Sequence, residues 1–293
     1  MTNILGLIGG SGIYRIPFVD IVKKHTFKSA FGKPSDSVYL LRYNSLQFYF
    51  MPRHGMNHNI NPSKINYRAN IDSLKHFGVT DIVSLSAVGS MKRDHEPGQF
   101  IIIDQYVDRT FQRKNSFFTG SCVAHVSMAN PVSKELSDLC EYSLNQTNIK
   151  YKSKGTYLVI EGPQFSSLAE SKLFFNDLNV DVIGMTNMPE AKLAREAEIR
   201  YASVGMITDY DCWNHEYQIA SVDSILSIMK QNTDKVNYFL KYLLENFYTD
   251  KLIDDSTCRC LDKSIVTKIS NIDKKDLRKL ENILKRYIKE NAK

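Results

Sequence analysis

Long apolar runs are missing from this 293-residue chain: no stretch approaches the roughly 18 uncharged residues that a membrane helix requires. Met1 to Ile8 carries no basic region ahead of its apolar segment, so neither a membrane span nor an export signal is expected. Cysteine is scarce as well. The five present, at positions 122, 140, 212, 258 and 260, are too few and too scattered for a disulfide framework, which fits a reducing compartment, and the cytoplasm is the expected location. The sequon Asn145-Gln146-Thr147 matters only in an exported protein and is set aside. The seven histidines lack HExxH or comparable metal spacing, so no zinc site is expected. There is no Gly-Lys-Ser/Thr for a Walker A loop, no internal repeat and no low-complexity linker.

Net charge is the next thing the body of the chain lacks. The formal +6 resides between Lys263 and Lys293, where ten Lys/Arg face four Asp/Glu, and residues 1–262 carry 28 of each sign. A neutral body argues against a nucleic-acid track across the main fold, because such tracks need clustered Lys and Arg. In the basic tail, Leu277, Leu280, Ile283, Leu284, Tyr287 and Ile288 recur at helical spacing. That pattern predicts an amphipathic helix packed on its own body or on a neighbouring subunit, ahead of membrane or nucleic-acid binding.

What is present is an α/β pattern within a single domain over 1–262, followed by a basic helical extension over 263–293. Apolar runs bounded by turn residues predict strands at Ile4 to Ile8, Gln47 to Met51, Asp81 to Ser86, Gln99 to Ile103, Tyr157 to Glu161, Asp181 to Met185 and Tyr201 to Thr208. Val38 to Met51, interrupted at Asn44-Ser45, reads as a β-hairpin, so a mixed sheet flanked by helices is expected. Asn61-Pro62 opens a helix that Gly78 stops, Ser167 and Glu170 form a capping box, Pro189 sits in the first turn of a helix starting near Asn187, and Ser221 to Phe247 forms a long last core helix.

Several strand ends carry residues suited to chemistry. Gly9-Gly10-Ser11-Gly12 follows the first strand, where glycines admit an anion close to the backbone and Ser11 adds a hydroxyl. Taken alone, the same turn serves equally well as plain structure. Arg53-His54 ends another strand and supplies a fixed charge beside a switchable donor, although an adjacent Arg-His pair is also ordinary in a solvated turn. Ser86-Ala87 and Met185-Thr186 end further strands, at the edge where open α/β sheets bind ligands. In Thr208-Asp209-Tyr210-Asp211, extended geometry points both carboxylates one way, and two like charges so close raise one pKa. An exposed Asp-Tyr-Asp turn is the bland alternative. Cys258-Arg259-Cys260 is read as two free thiols.

These residues, in this order, resemble the methylthioadenosine phosphorylases within the trimeric purine nucleoside phosphorylases. The resemblance rests on Ile8 to Gly12, Phe31 to Asp36, Arg53 to Gly55, Pro62 to Tyr67, Ile102 to Gln105, Ile160 to Pro163 with Phe165 to Ser167, Met185-Thr186 and Thr208 to Trp213, and runs from about Asn3 to Leu226. It implies a phosphate site of Ser11, Arg53, His54, Ser86, Ala87 and Thr186, with Met185 under the ribose and Phe165 flanking the base. Asp209 and Asp211 would face the purine edge, with Asp209 the catalytic residue. His125, Val222, Ile225 and Leu226 would surround the methylthio group, and Ser166 and Val222 would influence substrate choice. Gln164 stands where many relatives carry arginine, and the basic helix after Leu261 extends past the usual core. The resemblance further implies no cofactor beyond inorganic phosphate as co-substrate, and a homotrimer or a hexamer built from two.

The implied chemistry is phosphorolysis. As the glycosidic bond stretches the ribose gains oxocarbenium character and the purine gains electrons, so a protonated Asp209 would donate to N7 while Asp211 favours a 6-amino group. The neighbouring reading is a phosphorylase of 6-oxopurines or of methylthioinosine. A reading from another class is a nucleoside sensor that keeps the pocket and uses its basic tail on nucleic acid.

Overall fold

Strands that must be covered on both faces organise the architecture. The computed structural model describes residues 2–214, 222–248 and 256–291, with the backbone alone for 222–226, 229 and 256–258. Among the described residues, nine strands form one mixed sheet: β1 (Leu5–Gly9), β2 (Asp20–His25), β3 (Val38–Tyr43), β4 (Leu46–Pro52), β5 (Asp81–Ser90), β6 (Phe100–Arg109), β7 (Tyr151–Ile160), β8 (Val182–Gly184) and β9 (Arg200–Tyr210). Their order is β2-β3-β4-β1-β5-β8-β7-β6-β9, and β9 also pairs with β5. The last five strands therefore close on themselves as a small barrel, with the β2–β3–β4–β1 half running off as an open wing.

Within that frame β4, β1, β5 and β9 run parallel side by side. Their carboxyl ends consequently share one edge of the sheet, which gathers Ser11, Arg53, Ser86 and Asp209 there. The β3–β4 hairpin forms as expected, turning at Asn44 with φ 52°. Strand limits differ from the sequence reading. β6 and β7 extend beyond the predicted apolar runs, because polar residues such as Asp104 and Lys152 sit on partly exposed faces of strands that still pair through their backbones, and β5 and β9 run past their predicted ends to Ser90 and Tyr210. β8 keeps only three of the predicted five residues.

Helices cover both faces. On one side α1 (Tyr67–His76), α4 (Asn187–Glu196) and α7 (Glu281–Asn291) pack against the largest core cluster, which includes Ile71, Leu74, Leu193, Ile283 and Leu284. On the other, α2 (Lys134–Asn145) packs on α5 (Val222–Asn246) and β9 through Leu136, Leu240 and Val204. Each start has a local reason. Asn66 accepts from the Ala69 amide to begin α1, Ser133 caps α2, and α3 (Leu168–Asp177) opens with the reciprocal Ser167–Glu170 box. The extension is broken into α6 (Lys274–Lys279) and α7, and its apolar side lies in the same core as α1. Ser221 of the predicted last core helix lies outside the described residues. Among the described residues no helix is long and apolar enough to cross a membrane.

Candidate active site

The parallel strand ends and the β7–α3 and β8–α4 connections enclose a cavity of about 470 Å³. Ser11, Arg53, His54, Ser86, Ala87, Phe165, Ser166, Met185, Thr186, Asp209 and Asp211, all singled out in the sequence, line it together. His58, Ile60 and Pro62, from the loop after β4, close one side. The cavity has two chemically different ends.

At one end hydroxyls converge. Ser86 Oγ lies 3.2 Å from Thr186 Oγ1 and donates to Asn187 Oδ1 at 3.0 Å. Arg53 reaches this end but is largely engaged by the protein. Its Nε and Nη2 donate to Glu190 at 2.8 and 3.0 Å, Nη2 donates also to Ser84 Oγ at 2.6 Å, and Nη1 donates to the Leu85 carbonyl at 3.1 Å. Of five guanidinium N–H groups, one on Nη1 remains for an anion. Burial alone would favour losing the proton, but the Glu190 carboxylate outweighs it and raises the Arg53 pKa further. Gly10 makes this placement possible: a Cβ there would sit 2.6 Å from Arg53 Nη1 and 2.7 Å from the Leu85 carbonyl oxygen. His54 turns Nδ1 to the Ile60 carbonyl at 2.8 Å. Burial first, then Arg53, lowers its pKa to about 4, so the ring is neutral at physiological pH.

At the other end stand the two carboxyl groups. A register shift between Val88 and Gly89 sets Gly89 opposite Asp209, and Tyr210 turns the other way to pack edge-on against Trp213. The alternation expected of an extended strand therefore delivers both aspartates to the cavity. Burial raises Asp209 to about 6; the Thr208 hydroxyl at 2.6 Å pulls it down and the Asp211 charge pushes it up. Burial raises Asp211 as well, and its Oδ2 is buried with no hydrogen bond among the described residues. A carboxyl group with a pKa in this range, set in a buried wall, is equipped to hold a proton for a leaving group.

Next to Met185 lies a support that the sequence reading missed. Arg113 donates from Nη1 to the carbonyls of Met185 and Met188 at 2.7 and 2.6 Å and to Tyr67 Oη at 3.1 Å, and from Nη2 to the Glu161 carbonyl at 2.7 Å. Its Nε meets the Glu161 carboxylate at 3.2 Å. Burial alone would raise Glu161, but Ser63, the amides of Phe111 and Gln112, and Arg113 together hold it down at about 2. Beside it Gly162 adopts φ +65°, and a Cβ there would lie 2.4 Å from Met185 Sδ. Arg113 thus ties the cavity's Met185 to the loop that carries Pro163 and Phe165.

Not every expected residue is brought in. His125 does not line the cavity; it is exposed, and its amide donates to the Ser264 carbonyl at 2.9 Å, beside the Ala124–Ile265 bridge. The resemblance implied it in the site, whereas in the structure that segment pairs with the C-terminal region. Val222, Ile225 and Leu226 fall in the opening turns of α5, where side chains lie outside the described residues. Gln164 lies on a neighbouring groove with Arg109 and Phe111. The start of α4 also differs: Met188 is extended (φ −116°, ψ 130°), so regular helix begins after Pro189 and not at Asn187. Arg113 and Glu190 carried no motif, since each reads in sequence as an ordinary surface charge, and Glu161 stood within the Ile160 to Pro163 match without a role assigned to it.

Comparison with known proteins agrees with this geometry. The profile of the phosphorylase superfamily matches residues 4–245. An S-methyl-5′-thioadenosine phosphorylase from Rhodospirillum rubrum is 48% identical over 265 residues, covering 90% of each chain. The crystal structure of a methylthioadenosine phosphorylase from an antarctic soil metagenomic library superposes with a TM-score of 0.90 at 36% identity, over 97% of this chain and 99% of the other. A methylthioadenosine phosphorylase from Schistosoma mansoni in complex with adenine gives a TM-score of 0.80 at 31% identity, over 83% and 91%. A closed-ended sheet, a cavity at its carboxyl edge and relatives that match along nearly the whole length together place the chain in the phosphorylase superfamily, among the methylthioadenosine phosphorylases.

Proposed function

We propose that this chain cleaves S-methyl-5′-thioadenosine with inorganic phosphate, releasing adenine and 5-methylthioribose 1-phosphate in purine and methionine salvage, with no cofactor. The observation that carries this reading is the two-ended cavity, with hydroxyls of Ser86 and Thr186 3.2 Å apart at one end and the raised Asp209 carboxyl at the other. Phosphate occupies the first end, held by Ser11, Ser86, Thr186, the backbone at Ala87 and the remaining Nη1 hydrogen of Arg53. Adenine occupies the second. As the glycosidic bond lengthens, negative charge builds on the purine, and Asp209 donates its proton at N7. Asp211 accepts from the 6-amino group with its Oδ2, which has no partner among the described residues. Met185 lies under the sugar, Phe165 flanks the base, and Ser166 adjusts fit at the rim.

The site works within a homotrimer in the cytoplasm. Phe165, at 53% exposure, lines the cavity, and with Phe111, at 76%, in the neighbouring groove and Leu168, at 43%, at the start of α3 it leaves apolar surface for a second copy to cover. His125, which does not line the cavity of its own chain, would then approach the methylthio end of a neighbour's. The test is a substrate panel with phosphate present: methylthioadenosine, methylthioinosine and inosine, with products separated by chromatography. Methylthioadenosine is expected to turn over with a kcat/KM at least about tenfold above the 6-oxopurines, since an ionised Asp211 repels their carbonyl oxygen. Preference for inosine would assign the chain to the neighbouring phosphorylase class.

A further inference from the structure

The anion end of the cavity is poorer in charge than its arginine implies. Arg53 is paired with Glu190 at 2.8 Å, both side chains being almost completely buried, so the two together present little net charge. The remaining lining groups at this end, Ser11, Ser86 and Thr186, are neutral. Discrimination there falls to hydrogen bonds, and His54 determines one of them.

The His54 ring is fixed by its own loop. Nδ1 lies 2.8 Å from the Ile60 carbonyl, and a carbonyl oxygen has no proton to give, so the ring proton resides on Nδ1. A second proton is opposed by burial, by Arg53 and by His58, whose ring stacks on that of His54 with centroids 4.5 Å apart. Glu190, on α4, acts the other way, but it is bonded to Arg53. Tyr14, from the turn after β1, bonds His58 and not His54. Among the described residues no protein group bonds Nε2 of His54, and the ring lines the cavity.

We propose that His54 offers the bound anion a lone pair instead of a proton, and thereby makes the co-substrate site select a proton-bearing oxyanion, hydrogen phosphate, over sulfate. This rests on the phosphorolysis reading above. The P–OH of hydrogen phosphate donates to Nε2, while its other oxygens accept from the hydroxyls and from Arg53. No proton is gained or lost in that step. Sulfate has the same shape and charge but no hydrogen at neutral pH, so its oxygen would meet the Nε2 lone pair. It binds only when His54 first takes one proton from solvent.

Calorimetric titration of the intact protein, with adenine present to fill the base end, tests this with inorganic phosphate, arsenate and sulfate. Measurements at pH 8 in buffers of different ionisation enthalpy count the protons exchanged. Phosphate and arsenate are expected to bind with close to no proton uptake. Sulfate is expected to bind at least about tenfold more weakly, with uptake of about one proton, and to tighten about tenfold per pH unit lowered. In His54→Gln, whose amide can donate, the preference should shrink to about twofold or less. Sulfate binding as tightly as phosphate without proton uptake in the unaltered protein overturns the proposal and leaves the phosphorolysis reading standing. Absence of phosphate binding under any of these conditions would instead overturn the reading itself, and the proposal with it.

Discussion

At the residue scale, Asp209 shows how function is set against stability. In the proposed reaction its carboxyl donates a proton near neutrality, and burial, which raises it from the ordinary 3.8 to about 6, suits it to that role. Asp209→Asn should lower kcat by about a hundredfold or more with KM changed far less, because general acids typically contribute that much and act mainly in the transition state. Steady-state kinetics check this, and undiminished turnover would remove Asp209 from the mechanism. The same shift has a linkage consequence. Between pH 4 and pH 6 the folded chain holds the Asp209 proton and the unfolded chain releases it, so the favourable contribution present at low pH is lost as pH rises through about 6. Asp209→Asn should therefore melt above the native protein at pH 8, by something of the order of 2 kcal/mol, and match it near pH 4. Thermal melts at the two pH values read this directly. Asp209 and Asp211 were legible in sequence because a strand's alternation and two neighbouring charges are local facts. Glu190 was not. Its partner Arg53 lies 137 residues away, and the pairing that absorbs most of the Arg53 donors appears only when β4 and α4 are brought together.

At the scale of elements, the loop after β6 matters through Arg113. A buried arginine that satisfies four backbone carbonyls and one carboxylate cannot be removed quietly. Arg113→Ala leaves Glu161 buried and short of its cation, and should cost about 3–5 kcal/mol, measured by denaturant unfolding. Under conditions where the variant stays folded, KM for the nucleoside should rise, because Met185 and the Pro163 loop lose their common anchor. An unchanged KM would show that Arg113 is structural alone. Lysine cannot reproduce the fork of contacts, so Arg113→Lys should recover little. The parallel strands and the β3–β4 hairpin were legible from apolar runs and from Asn44-Ser45. Helix α2 and strand β2 were not. The residues of β2 are nearly all exposed, so no apolar run marks it, while α2 shows its start only in the Ser133 cap. The extended Met188 before Pro189 follows from the residue before proline being disfavoured as helix, and that turn of backbone places Thr186 beside Ser86.

For the molecule as a whole, the basic C-terminal region is part of the core. Ile283 and Leu284 are buried with Ile71 and Leu74 of α1, Arg286 binds Glu198 at 2.6 Å, and Asn282 donates to the buried Asp72 at 3.0 Å. Its positive face is therefore partly engaged by the body's own acids, and its apolar face packs on the body as its helical spacing predicted. Leu284→Ala should destabilise the whole fold by about 2–5 kcal/mol and lower the single melting transition, not release a separate one. A second, independent transition in calorimetry would contradict that. The account as a whole depends on one cavity joining an oxyanion and a departing base across a sugar. The most direct test follows adenine release from methylthioadenosine with phosphate present and with phosphate removed. One methylthioribose 1-phosphate per adenine, and no release without phosphate, is the predicted result; equal release in the absence of phosphate, yielding free methylthioribose, would contradict it.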